Sequence, residues 1–492
     1  MNSNSGPIVN DPRRVHLLKL LAGTLSSIRR FPPEILSIIF VFCRDLDVSS
    51  TGVYTTTHRK LAPMLLTRIC SRWRQIALDT PRLWDNVHLQ TTLFIRDGVD
   101  VFVADLLQRS HVLPLSVTID TPQSIFLREG WLNLDGLNDH HHRWLDFLWT
   151  NPSTCRRLRS LTLDVFEDDY TPNIFPLPET EFPALATLVL SMEGNIEPDL
   201  VHILESFKHA PLLRSLELVV SNCSDALLEA TFPWHQLTTL NMTLPLISDV
   251  VRTLLVQCTS LERTKFDNIF EWDNDLDPPP PQIPTLLAEL RDVEVGWKNG
   301  SQTDMVLGGL SLPKLRSLEI TSTFRSSEDV EEPPTPVLLA LHACSHFALE
   351  HLTLTGQLLT PTELLSVLRV VPTLRTLNVR GCECIDDELF RMLTANDSLT
   401  TLPELTKLEI HPITPTLDGN VVATMAESLF EKGRTPASIE APIAMFPCLT
   451  RLCLYRGHEQ FVNWGWEKFA DDVERRIAVL CETGFLVDRY HR

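Results

Sequence analysis

Leu213-Arg-Ser-Leu216-Glu-Leu218 is the stretch that decides the fold, because the same spacing of apolar residues returns through most of the chain. Upstream it occurs as Leu158-Arg-Ser-Leu161-Thr-Leu163 and Leu185-Ala-Thr-Leu188-Val-Leu190. Downstream it returns at Leu237, Leu315, Leu349, Leu374, Leu405 and Leu449. Two weaker copies begin at Leu261, with Thr264 and Phe266, and at Leu290, with Val293 and Val295. The eleven starts lie 27, 28, 24, 24, 29, 25, 34, 25, 31 and 44 residues apart, so the longer gaps hold insertions. Within each copy the last two apolar residues alternate with polar ones, the mark of a short strand with one buried face. Between copies the spacing turns helical. Thr360-Pro-Thr-Glu363 before Leu364, Leu365 and Leu368 supplies a capping threonine, a proline at the first helical position and a glutamate for a capping box. Strand, helix and a return to a parallel neighbouring strand make one turn of a solenoid.

The chain holds 34 prolines against 18 glycines. Pro183, Pro211, Pro313, Pro372, Pro403 and Pro447 each stand two residues before the first Leu of a copy, where a fixed φ and a missing N–H end the helix before the strand. Residues 158–455 resemble leucine-rich repeats of the ribonuclease-inhibitor-like or F-box-associated sort. The resemblance implies an α/β horseshoe with parallel strands on its concave face. Such an array needs caps. Residues 456–492 are expected to close it with an amphipathic helix through Trp466, Phe469, Val473, Ile477 and Leu480, ended near Gly484. Residues 86–157 form a linking and N-terminal capping region, with early strands at Val87-His-Leu89 and Leu113-Pro-Leu115-Ser-Val117-Thr-Ile119.

Composition narrows the function. Of 492 residues, 43 are Lys or Arg and 63 Asp or Glu, and a formal charge of −20 repels a phosphate backbone, which argues against nucleic acid as partner. Eleven cysteines, an odd number spread through apolar segments, read as reduced core thiols and predict an intracellular location, cytoplasmic and/or nuclear. Within the N-terminal tail, residues 1–30, the stretch 16–25 (HLLKLLAGTL) is interrupted by Lys19 and followed by Arg29 and Arg30. It predicts a short amphipathic helix rather than a signal or a membrane span.

Residues 31–85 are a separate module. Pro32 and Pro33 open a helix that places Ile35, Leu36, Ile39, Phe40 and Cys43 on one broad apolar side. A second amphipathic helix is predicted over residues 65–77, followed by Pro81-Arg-Leu83-Trp84. Three short helices enclose little core, so a partner is expected to cover apolar surface. Pro32-Pro-Glu-Ile-Leu36 with Ile39-Phe40, then Cys70-Ser-Arg-Trp73-Arg74, then Pro81-Arg-Leu83-Trp84, resemble the F-box in the expanded form of many fungal proteins. A polar insert at residues 45–60 departs from compact F-boxes. The resemblance implies docking on the Skp-type adaptor of a cullin–RING ubiquitin ligase. Pro32, Pro33, Ile35, Leu36, Ile39, Phe40, Ile69, Trp73, Leu83 and Trp84 would form or support that surface.

Catalytic signatures are absent from the sequence: no G-x-S-x-G, no P-loop and no G-x-G-x-x-G occurs. His346-x-x-x-Glu350-His351 has one residue too many for an inverted zinc-protease motif, His140-His-His142 reads as a solvated loop, and Cys382-x-Cys384 as semi-buried thiols. The expectation is therefore a chain that is not an enzyme, with no cofactor and no metal. If the motif leucines point inward, the residue between the last two faces the concave side. Those are Glu217, Asn241, Lys265, Glu294, Glu319, Thr353, Asn378 and Glu409 among others, a surface suited to a protein with a basic or hydroxyl-rich stretch. The same residue types are also ordinary solvent-facing strand residues. Two functions follow: substrate receptor of a Skp–cullin–F-box ligase, with an unidentified protein substrate, or a leucine-rich-repeat scaffold not engaged with a ligase.

Overall fold

The computed structural model describes residues 28, 31–50, 55–90, 99–120, 148–149, 151–166, 179–193, 197–220, 225–270, 285–297, 303–322, 334–356, 359–382, 384–394, 402–411, 418–432, 449–455, 471–482 and 486–490. The chain divides into two compact units, Met1–Leu161 and Thr162–Arg492.

In the first unit, helix α1 spans Pro33–Ser50. The Pro32 carbonyl accepts from the amides of Ile35 and Leu36, both at 3.1 Å, so the missing N–H of Pro33 costs the helix nothing. The second predicted helix is broken in two. Helix α2, Leu66–Ile69, ends at Cys70, which is fully extended (φ −159°, ψ 167°), and helix α3, Ser71–Leu78, begins beyond it. The break follows from capping: the Cys70 thiol accepts from the Trp73 amide at 3.5 Å, a local bond that competes with a continued helix. The insert at 45–60 departs from expectation too, because α1 runs on through Ser50. Farther along it, Thr56 locks onto the strand Asn86–Gln90: its amide donates to the His88 carbonyl (2.9 Å) and its hydroxyl accepts from the His88 amide (2.8 Å). That strand pairs in parallel with Leu115–Asp120, matching the early strands read from the sequence.

The core of the helical part is filled by Leu36, Phe40, Leu83 and Trp84, each 0 % exposed. The Phe40 ring centroid lies 4.9 Å from that of Trp73, and the Trp84 indole N–H donates to the Ala77 carbonyl at 2.8 Å. Arg44, buried on the same side of α1, bonds the Asp85 carboxylate at 2.7 Å and that of Asp45, and donates to the Arg82 carbonyl. Burial alone would lower its pKa, but these acceptors outweigh it and raise it, so the guanidinium pins α1 to the 81–85 turn as a fixed charge.

In the second unit the repeat is met strand by strand. From Thr187–Glu193 to Leu486–Tyr490, eleven described strands of one sheet follow one another in chain order, each paired in parallel with the next, while Thr285–Leu286 and Leu310–Ser311 pair in parallel with each other as a separate two-stranded sheet. The first Leu of each copy from Leu185 to Leu449 is at most 3 % exposed. One backbone ladder ties the copies: Arg214 N donates to Ala186 O (2.9 Å), Thr238 N to Arg214 O (2.8 Å), and so on through Glu262, Arg291, Arg316, Glu350, Arg375, Thr406 and Thr450. The weak copies hold the same register. Thr264 stands where Leu is usual, 4 % exposed, and its hydroxyl donates to the Leu240 carbonyl at 3.1 Å, which offsets the burial of a polar group.

Proline at the corner acts through turn geometry. The amides of Leu185, Leu213, Leu315, Leu374 and Leu405 donate to the carbonyls of Phe182, Ala210, Leu312, Val371 and Leu402, three residues back, at 3.1–3.4 Å. Pro183, Pro211, Pro313, Pro372 and Pro403 therefore occupy the second position of a β-turn, where φ near −65° is required. Pro447 lies outside the described residues. Thr360 and Glu363 form the predicted capping box, the amide of Glu363 bonding the Thr360 hydroxyl at 3.3 Å. The C-terminal segment carries more than a cap: helix Asp471–Glu482 is followed by the strand Leu486–Tyr490, paired with Arg451–Tyr455. Val473 and Ile477 of that helix pack with Ala423, while Trp466, Phe469 and Gly484 lie outside the described residues.

Candidate functional site

Helix α1 is apolar on two sides. One carries Leu36, Phe40 and the buried Arg44. The other presents Ile35 (44 % exposed), Ile38 (53 %), Phe42 (64 %) and Leu46 (66 %), spaced three, four and four residues apart and so on one face. Ten residues were expected at an adaptor surface, and the structure sorts them. Pro32, Pro33, Ile35 and Ile69 are exposed and able to meet a partner, and Ile39 and Trp73 are half-buried. Leu36, Phe40, Leu83 and Trp84 are corrected to core: their side chains are used up holding α1 against α3 and the 81–85 turn. Ile38, Phe42 and Leu46, absent from the expected set, are exposed on the same face as Ile35. An i, i+3, i+7 reading from Ile35 finds Ile38 and Phe42 in the sequence, but it does not separate them from the core stripe beside them.

The same helix lines a groove of about 1040 Å³. Its α1 wall runs from Pro33 to Asp45 and includes Ile38, Val41 and Phe42. Ile76 of α3, Val112 and Leu113 add apolar surface, and Val112 is 86 % exposed.

The outward row of the strands is in register as predicted: Glu217, Asn241, Lys265, Glu294, Glu319, Thr353, Asn378 and Glu409 stand opposite one another on successive strands. The pairing of charges along it changes what the row can do. Lys265 bridges Glu294 and, at 3.1 Å, Asp267. Glu409 is held by Lys407 and, at 3.5 Å, by Arg380, whose Nε donates to the Asn378 amide oxygen at 3.0 Å. Burial pushes the Glu409 carboxyl up, but the bonds and charges of Lys407 and Arg380 win and hold its pKa below the ordinary value. Asn378 and Glu409 are each only 6 % exposed, so these two are corrected from contact residues to internal members of a network. Glu217, Asn241, Lys265, Glu294, Glu319 and Thr353 remain half-exposed. Among the described residues Glu319 has no hydrogen-bond or ion-pair partner, and burial followed by the charge of Glu294 raises its pKa.

Among the described residues, no group of three or more His, Cys, Asp and Glu is placed to hold a metal ion, and His140 to His142 lie outside them. His346 caps a helix in the left-handed conformation (φ 49°), while Glu350 lies 3.5 Å from Arg316 and 3.9 Å from Arg375. Cys382 and Cys384 are both buried, and burial pushes the Cys258 thiol up to about 12, far from a reactive thiolate. Among the described residues, no helix is long and apolar enough to cross a membrane.

No family model matches the chain, and no curated protein matches it. Among solved structures it is similar to a chain in the "Crystal structure of Rad7 and Elc1 complex in yeast", at 14 % sequence identity and a TM-score of 0.37, over 93 % of this chain and 97 % of that one.

Proposed function

We propose that the chain is a non-catalytic substrate receptor of a Skp–cullin–F-box ubiquitin ligase. In this reading the N-terminal helices dock on the Skp-type adaptor, in the cytoplasm or nucleus, and the repeats hold a target protein. One observation carries it: α1 leaves Ile35, Ile38, Phe42 and Leu46 exposed while its own core is already closed by Leu36, Phe40 and Trp84. A stripe of that kind costs solubility unless a partner covers it. The receptor does no chemistry. It raises the effective concentration of a target lysine beside a ubiquitin-charged enzyme. The half-exposed row from Glu217 to Thr353 is the surface offered to the target, and Glu319, unpaired, is its cleanest probe.

The test is affinity purification of the full chain from its native cell. Recovery of the Skp-type adaptor, lost on Ile38→Asp or Phe42→Asp while the repeats keep their unfolding transition, supports the reading. No adaptor at any salt concentration overturns it and leaves the repeats as a scaffold. Leu36→Asp is unsuitable, because that side chain is core and its loss unfolds the module.

A further inference from the structure

The edge at which the chain enters each strand carries the opposite charge to the chain as a whole. The two residues after the first Leu of each copy, from Leu185 to Leu449, include seven Lys or Arg against three Asp or Glu, in a chain of net −20. We propose that this edge is a docking strip for an acidic, extended segment of another protein. Binding of such a segment rests on the edge alone; that the segment belongs to a ligase target rests on the function proposed above.

The backbone fixes the strip. Both amides of a pair donate to one carbonyl of the preceding copy, as Arg214 and Ser215 do to Ala186 O, Arg291 and Asp292 to Glu262 O, and Arg316 and Ser317 to Arg291 O. With these N–H groups engaged inside the array, recognition falls to the side chains. Arg214, Arg263, Arg291, Arg316 and Arg375 are all exposed, whereas the three acids among them, Glu262, Asp292 and Glu350, are half-buried. The guanidinium groups therefore form the outer layer. From Arg214 to Arg375 the edge crosses seven strands of the sheet. At a spacing of about 4.8 Å that is about 29 Å, the length of about nine extended residues.

The arginines are loosely held. Among the described residues, Arg263 and Arg291 have no side-chain hydrogen bond or ion pair. Arg214 donates to the neighbouring carbonyls of Leu213 at 3.0 Å and Pro211 at 3.4 Å. Arg316 and Arg375 share Glu350 at 3.5 and 3.9 Å, and Arg375 also lies 3.3 Å from Glu404. Exposed pairs of that length contribute little and give way to a carboxylate placed squarely on the guanidinium fork. The three acids also select the occupant. A nucleic-acid strand, charged at every step, meets them as well as the field of the whole chain, while a peptide can set neutral residues opposite them.

The test titrates the full chain with a fluorescent polyglutamate peptide of about nine residues, beside polyglutamine and oligothymidylate of the same length. Polyglutamate is expected to bind at low salt although the net charge of the chain repels it, and polyglutamine is not. Arg263→Glu/Arg291→Glu lowers the affinity by about tenfold or more. Arg369→Glu/Arg391→Glu, at exposed positions on the helices Pro361–Val370 and Asp387–Leu393, changes the net charge equally and leaves the affinity within about twofold. If the urea midpoint shows the first variant to be damaged, Arg263→Gln/Arg291→Gln replaces it, with a loss of about threefold. No binding of polyglutamate, equal losses in the strip and helix variants, or tighter binding of oligothymidylate overturns the proposal. Binding at the strip in a chain that never recovers the adaptor upholds the strip and removes the ligase reading.

Discussion

Phe40 and Phe42 offer the sharpest test, since the same residue type two positions apart on α1 is assigned opposite work. Phe40 is 0 % exposed with its ring centroid 4.9 Å from that of Trp73, whereas Phe42 is 64 % exposed. Truncating a fully buried Phe to Ala removes its transfer energy and leaves a cavity, at about 3–5 kcal/mol. Phe42 retains only about a third of its burial, so from about 1.5–3 kcal/mol for a complete Phe its loss amounts to about 1 kcal/mol or less. In a unit of this size each kcal/mol moves the melting point by about 2–4 °C, so Phe40→Ala lowers it by about 10 °C and Phe42→Ala barely shifts it. Amide exchange of peptides from residues 33–50 during urea or thermal unfolding reads this unit apart from the repeats. Equal destabilisation by the two variants, or a silent Phe40→Ala, refutes the assignment of faces and with it the adaptor surface.

Two predictions concern the array. Gly356 has φ +69°, and a Cβ there would lie 2.2 Å from the Ser322 carbonyl oxygen while its amide is tied to the Arg380 carbonyl at 2.8 Å. Gly356→Ala therefore costs at least the roughly 1–2 kcal/mol of a left-handed backbone plus the clash, and a denaturation midpoint equal to wild type excludes it. Glu409 and Glu319 predict opposite pH behaviour. The depressed carboxyl of Glu409 lends stability that is present above its ordinary pKa and lost as the pH falls through its folded value. Glu409→Gln thus costs about 1–3 kcal/mol at pH 7 and little in acid. The raised carboxyl of Glu319 removes stability as the pH rises through its ordinary value, so Glu319→Gln is the more stable chain at pH 7 and equal to wild type in acid. Chemical denaturation at both pH values decides, and shifts of the same sign in the two variants contradict the pairing described here.

The array was legible because its signal is carried by single positions with a fixed period. A copy needs only apolar residues at three places, and each strand buries two of them whatever its neighbours do. Even the weak copy at Leu261 kept register, since Thr264 finds the Leu240 carbonyl and loses little by not being leucine. Features that depend on one atom finding another were not legible. The break at Cys70 turns on a thiol reaching the Trp73 amide, and the continuation of α1 to Ser50 through a polar insert turns on nothing the period records. The strand Leu486–Tyr490 was hidden by its shortness beside a well-patterned helix.

The candidate surfaces show the same divide more clearly. On α1 the apolar residues 35, 36, 38, 39, 40 and 42 cover well over half the circumference, and periodicity alone reads them as one wide face. Packing splits that face, because a ring on Trp73 and a guanidinium on Asp85 fix which side turns inward. Once Leu36, Phe40 and Arg44 are inside, helical geometry leaves Ile35, Ile38, Phe42 and Leu46 outside. The exposed stripe is thus defined by what the core has refused. Along the strands, register places Glu294, Glu319 and Glu409 in one row, but their availability depends on the next residues out. Asp267 shares Lys265, Arg380 and Lys407 close over Glu409, and Glu319 has no hydrogen bond or ion pair among the described residues. An acidic row in the sequence is therefore, in the fold, two carboxylates held by basic neighbours, Glu294 and Glu409, and two with no ion pair among the described residues, Glu217 and Glu319, and a charge-reversal test informs at those two.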